Sequence, residues 1–162
     1  MNSKFVAALT LGALTAVHGI ESDEMAGKFD YFQNGADWGE VADLCASGSE
    51  QSPIDLSRAT KNHKLKAIMD DYENYHQSDD EKYVERKEHT LEMPFTDGNL
   101  KLTFFDGKKA EASPLKLKIH SPSEHTINGK HMDLEMQIVH QFSDGTLGAV
   151  VGIFFDHEEG GN

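Results

Sequence analysis

A mainly β fold with little helix is what this 162-residue chain predicts, and two observations carry that expectation. Several segments alternate apolar and polar residues with a period of two, the repeat of a strand that buries one face. Dipeptides that favour tight turns punctuate them.

Residues 100–104 (Leu-Lys-Leu-Thr-Phe) form the first such segment, with Asp97-Gly98 before it and Asp106-Gly107 after it. Residues 114–120 form the second. There Leu115, Leu117 and Ile119 share one face, and Lys116, Lys118 and His120 share the other. Residues 132–140 form the third, with Leu134, Met136 and Ile138 on one face and Asp133, Glu135, Gln137 and Val139 on the other. Asn128-Gly129 lies between the last two as a hairpin turn. Residues 147–155 are an almost unbroken apolar run, the pattern of a strand buried on both faces. Residues 35–53 are rich in Gly, Ser, Asp and Ala and predict a coiled surface lead-in anchored by Trp38. Residues 62–87 are densely charged and read as surface.

The first residues read differently. Lys4 supplies a short basic region, residues 5–17 are uncharged and largely apolar, and Val17 and Gly19 are small residues just before the polar stretch Glu21-Ser22-Asp23-Glu24. That order is a secretory signal, which divides the chain into a leader, residues 1–19, and an exported domain, residues 20–162. The expected location is outside the cell or in the secretory lumen. The apolar run is too short for a membrane span, which needs roughly 20 such residues, and no second run of that length follows.

Charge narrows the partners. With 28 acidic and 15 basic residues the formal net charge is −13, and a phosphate-binding face would need clustered Lys and Arg. Nucleic acid is therefore not an expected partner. Cys45 is the single cysteine, which leaves a free thiol or a bond to another chain. No Asn-x-Ser/Thr acceptor occurs.

Four ordered blocks carry a family resemblance. Gln51-Ser52-Pro53-Ile54-Asp55-Leu56 follows Trp38-Gly39; then come residues 120–130 (His-Ser-Pro-Ser-Glu-His-Thr-Ile-Asn-Gly-Lys), residues 134–140 (Leu-Glu-Met-Gln-Ile-Val-His) and residues 148–155. Together they resemble the α-class carbonic anhydrases. The resemblance implies a twisted, mostly antiparallel sheet around a pocket, C-terminally incomplete because the last central strands and the CO₂-facing wall lie beyond Asn162. It implies zinc held by three histidines, two of them one residue apart on one strand and the third on its neighbour. Side chains at i and i+2 point to the same face, so such a set can converge on one ion. The ion keeps a water as its fourth ligand, lowers that water's pKa to about 7 and so supplies hydroxide to CO₂.

Carried over residue by residue, the three ligand positions are Lys118, His120 and Gln137, so only His120 is retained. Lys116 stands where a glutamine orients the first ligand, and Glu135 stands at the acid that supports the third. His89 falls at the proton-shuttle position, and Glu124 at the acid that orients a threonine near the metal. His125 and His140 fall at positions of structural hydrogen bonding, and His131 falls in the turn. Cys45 falls at a cysteine bonded, in secreted members, to a partner in the portion beyond this chain. A protonated lysine cannot ligate and repels a dication, and a carboxamide is a poor zinc ligand beside one imidazole.

The expectation is therefore a carbonic anhydrase-like secreted protein without hydratase activity and without a cofactor, acting as a binding or structural element. Lys118 is expected to pair with Glu135 in place of the metal's charge. The alternative is a zinc-dependent hydratase working at an altered site. A strand edge at residues 147–155 is expected to be open to another chain, as is a bond through Cys45.

Overall fold

The computed structural model describes residues 7–10, 38–41, 43–49, 52–58, 64, 66–70, 75–77, 83–87 and 90–157. Its organising element is β7 (Lys109–His120), the longest strand. One edge of β7 pairs antiparallel with β10 (Leu134–Gln141). The other pairs with β6 (Asn99–Thr103) along its first half and with β5 (Leu91–Thr96) along its second. β11 (Leu147–Phe155) lies on the far side of β10.

In β6 the predicted alternation becomes burial of the apolar face, whereas in β10 the polar positions Glu135 and Gln137 are buried and Leu134 and Met136 only partly so. In β6, Leu100 and Leu102 point inward while Lys101 is exposed, and they pack with Ala149 and Val151 of β11. Met69, Phe104, Phe142 and Ile153 close around this cluster. Burying a Leu or Val side chain stabilises by about 1.5–3 kcal/mol, so these inward positions dominate the strands' contribution to stability. The predicted turns sit where the backbone needs them. Asp97 and Gly98 have φ of 55° and 91°, and Asn128 and Gly129 have 54° and 73°, a left-handed conformation that Asn, Asp and Gly adopt at least cost.

Asn128-Gly129 joins a short hairpin of its own, β8 (Thr126–Ile127) with β9 (Lys130–His131), set between β7 and β10. Asp55 ties this hairpin to the Gln-Ser-Pro-Ile-Asp-Leu block. Its carboxylate accepts from Thr126 Oγ1 and the Gly129 amide, both at 3.1 Å, and from Ser57 Oγ. The Ser57 and Gly129 bonds are the main reason its pKa falls from 3.8 to about 2.

Three elements differ from expectation. The lead-in read as coil carries two helical turns, α1 (Trp38–Val41) and α2 (Asp43–Ser47); the Trp38 side chain lies outside the described part. The charged surface stretch contains β2 (Lys66–Asp70), which pairs with β6 and keeps Lys66, Ala67 and Ile68 exposed. β5 was not expected, because Pro94 and Glu92 interrupt any strand pattern; tertiary pairing with β7 holds it extended. Small strands β3 (His76–Gln77) and β4 (Glu85–Arg86) flank β5.

Of the residues read as a leader, only β1 (Ala7–Thr10) is described. It pairs antiparallel with β11 over Val150–Ile153. The strand edge expected to be open is thus covered there by the chain's own N-terminal segment. Among the described residues no helix is long and apolar enough to cross a membrane.

The Asp55 bonds give a signed prediction. A folded-state pKa below the unfolded one contributes stability above the unfolded value and loses it as pH falls through the folded value. Asp55→Asn should therefore lower the thermal midpoint at pH 7, and the gap to wild type should shrink between about pH 4 and pH 2. Melting both proteins across that range checks it.

Candidate functional site

Register builds the site. Residues directly opposite in an antiparallel pair share a face, and Lys118 lies opposite Glu92 on one side and Gln137 on the other. One step along, His120 lies opposite Glu135. Lys118, His120, Gln137, Glu135 and Glu92 therefore lie on one face of three neighbouring strands, as the alternation in β7 and β10 predicted for the first four. Glu124, in the loop after β7, reaches the same place.

Glu135 is the most deeply set of these, 0% exposed. Its Oε1 accepts from His125 Nδ1 at 2.8 Å and from Gln137 Nε2 at 3.1 Å. Its Oε2 accepts from the backbone amides of Glu124 at 2.9 Å and His125 at 3.0 Å. Burial pushes its carboxyl up, but the His125 ring and amide and Gln137 outweigh burial, and the net shift is downward.

Gln137 is buried, and its amide nitrogen also donates to Glu124 Oε2 at 2.8 Å. The other Glu124 oxygen is 3.5 Å from His120 Nδ1. A carboxylate on the Nδ1 side favours the tautomer with the proton there, which places a lone pair on His120 Nε2. That atom is buried and has no hydrogen-bond partner. Burial lowers the His120 pKa, opposed by Glu124 and assisted by Lys118, so the ring is neutral at pH 7.

The lysines depart from expectation. Lys118 Nζ lies 3.4 Å from Glu92 Oε1, and Lys116 Nζ donates to Glu92 Oε2 at 2.8 Å. The expected Lys118–Glu135 pair is not formed. Glu135 already receives four donors, whereas Glu92, directly across the strand pair, had only the two ammonium groups to neutralise it. Burial raises the Glu92 carboxyl, and Lys116 with Lys118 reverses this, so it is shifted down. Glu92 is the site residue that sequence reasoning missed. Two cations one residue apart on a strand face were the signal that an acid should sit opposite.

The remaining candidates divide cleanly. His125 is consumed by Glu135 and by Ser52 Oγ at 3.2 Å. His140 Nδ1 donates to Ile138 O at 3.0 Å, and Tyr75 Oη, whose pKa burial pushes up to about 12, lies 3.2 Å from its Nε2. His131 Nδ1 donates to Ser123 O at 2.5 Å. None of these three is free to turn toward His120. His89 lies outside the described residues. An open hollow of about 340 Å³ borders the site where Glu92 and Lys116 meet Tyr83, Met93, Pro94 and Leu115.

A curled antiparallel sheet carrying one imidazole and supporting carboxylates on one face defines the class of protein. The family model described as "Eukaryotic-type carbonic anhydrase" matches residues 33–158, and the chain belongs to that family. It is 33% identical to alpha carbonic anhydrase 5 of Arabidopsis thaliana over 91% of its own length and 53% of that protein's. It is 28% identical to dioscorin dioA3 of Dioscorea japonica, over 93% of this chain and 54% of that one. Among solved structures, the α-carbonic anhydrase of Photobacterium profundum aligns with a TM-score of 0.55 at 28% identity, covering 78% of this chain and 53% of that chain. The chain spans about half the length of the curated relatives it matches.

Zinc is the family's metal, and the donor set here does not fit it. His120 Nε2 is one available lone pair, Lys118 offers an ammonium, and Gln137 presents N–H groups. Among the described residues, the one convergent group of three His, Cys, Asp or Glu side chains is Asp133, Asp156 and His157, all exposed. His157 Nδ1 there already donates to Asp133 Oδ2 at 2.5 Å, and Lys130 lies 3.5 Å from Asp156.

Removing the buried acid should be expensive. Glu135→Ala strands two backbone amides and the His125 ring without an acceptor, and we expect a loss of about 3 kcal/mol or more in a urea titration.

Proposed function

We propose that this protein is a carbonic anhydrase-like binding or structural element that does not hydrate CO₂. The observation that carries the reading is the donor inventory at the metal position. Two of three electron-pair donors are replaced by groups that present protons, Lys118 toward Glu92 and Gln137 toward Glu124 and Glu135. Without a firmly held dication no water is acidified to hydroxide near neutral pH. Glu124, the acid carried over as an orienting group, is engaged with Gln137 instead.

Export fits the order of charge, apolar run and small residues at the N-terminus, with residues 1–19 removed and residues 20–162 retained. In that form β1 would leave the outer edge of β11, and an extended segment of a partner protein could take its place over Val150–Ile153. Cys45 is exposed and free, which suits a bond to such a partner. A relative, dioscorin, is known in complex with ascorbate, which supports a small-molecule binding role as one form this function takes.

One observation favours a second reading, a weak zinc-dependent hydratase. His120 Nε2 is a buried, unpartnered lone pair of the kind a metal ligand needs. Metal analysis and CO₂ hydration by stopped flow separate the two. The purified protein should carry well under one zinc per chain and hydrate no faster than buffer. Lys118→His with Gln137→His should raise zinc affinity at least about 100-fold over wild type. One tightly held zinc in the wild type, or hydration above background, would overturn the first reading.

A further inference from the structure

We infer that the carboxamide of Gln137 is a donor bridge that holds the acidic side chains of Glu124 and Glu135 together, in the role a bound cation would otherwise fill. This deepens the metal-free reading above and rests on it. An amide nitrogen carries two hydrogens, and both have an acceptor here, Glu124 Oε2 at 2.8 Å and Glu135 Oε1 at 3.1 Å. The orientation of the amide follows from its neighbours, because turning its oxygen to the same place would set it against two carboxylate oxygens.

The polarity of position 137 is thereby reversed. A ligand at that place would offer an electron pair to an ion, whereas Gln137 offers protons to two anions. The charged and titratable groups around it are Glu124, Glu135, His120, His125, Lys118 and Glu92. Lys118, the one lysine among them, is directed to Glu92. His120 Nδ1 stands 3.5 Å from one Glu124 oxygen, and the amide serves the other. A fully buried carboxylate, Glu135, and a partly buried one, Glu124, that share one amide nitrogen repel unless donors lie between them, so a neutral residue with two N–H groups suits the position.

The bridge also ties separate parts of the fold. Glu124 belongs to the loop that leaves β7 and leads to the β8–β9 hairpin, and Glu135 and Gln137 belong to β10. Gln137 is thus a positioning residue that fixes the loop onto the strand, with His125 and the backbone amides of residues 124 and 125 completing the attachment.

Exchanging the two chemistries tests this. Gln137→Glu places a third carboxylate in the cluster and should lower the thermal midpoint by about 5 °C or more. Adding Glu124→Gln returns the cluster to two carboxylates and one carboxamide, with the amide hydrogens now offered from position 124 to position 137, and should recover at least half of that loss. A role limited to filling space would not produce such rescue, since the two single losses would then add. If Gln137→Glu alone does not fold, folding of the double variant counts as the rescue. A double variant that fails to fold, or melts at the sum of the single losses, overturns the bridge. Chelation is the control for the reading beneath it: a wild-type midpoint that falls with EDTA sinks the metal-free reading, whatever the exchange yields.

Discussion

A carboxylate with no exposure, set in the middle of a β-sheet, constrains much of what surrounds it. Glu135 cannot remain ionised without donors, and the donors come from three directions: a histidine ring, two successive backbone amides and a carboxamide on its own strand. Satisfying it fixes the loop after β7, engages His125 and directs Gln137. It also explains why Lys118 turns to Glu92, since no acceptor capacity is left for an ammonium at Glu135. The directions taken by Lys118 and Gln137 and the attachment of the loop after β7 are therefore two aspects of one network.

The same network gives the substitutions a common chemical sense. Lys118 and Gln137 both present proton donors at this face, and each has a carboxylate to receive them, Glu92 for Lys118 and the Glu124–Glu135 pair for Gln137. Of the three positions, His120 keeps a buried ring nitrogen, Nε2, without a hydrogen-bond partner. Membership of the carbonic anhydrase family describes the scaffold; what the scaffold does follows from donors and acceptors at one face of three strands.

The strands were legible where apolar and polar residues alternate and turn dipeptides lie nearby, as in β6, β7 and β10, or where an apolar run is nearly unbroken, as in β11. β5 and β2 were not legible. Pro94 and Glu92 hide the first, and the second is an exposed edge strand whose charge resembles a loop. At the site, His120, Lys118, Gln137, Glu135 and Glu124 could be named from spacing and resemblance, whereas Glu92 could not, because its place depends on which strand lies beside β7. The edge of β11 shows the same limit: its apolar run was plain, but the covering by Ala7–Thr10 was not.

By itself the sequence determined the strand faces and the turn positions, which depend on local periodicity and side-chain chemistry, and the resemblance picked out Lys118, His120 and Gln137. Tertiary structure decided the partners: Lys118 with Glu92, Gln137 with two acids, and β1 against β11. Those choices compare acceptors and edges brought together from distant parts of the chain, and no local rule ranks them before the strands are assembled.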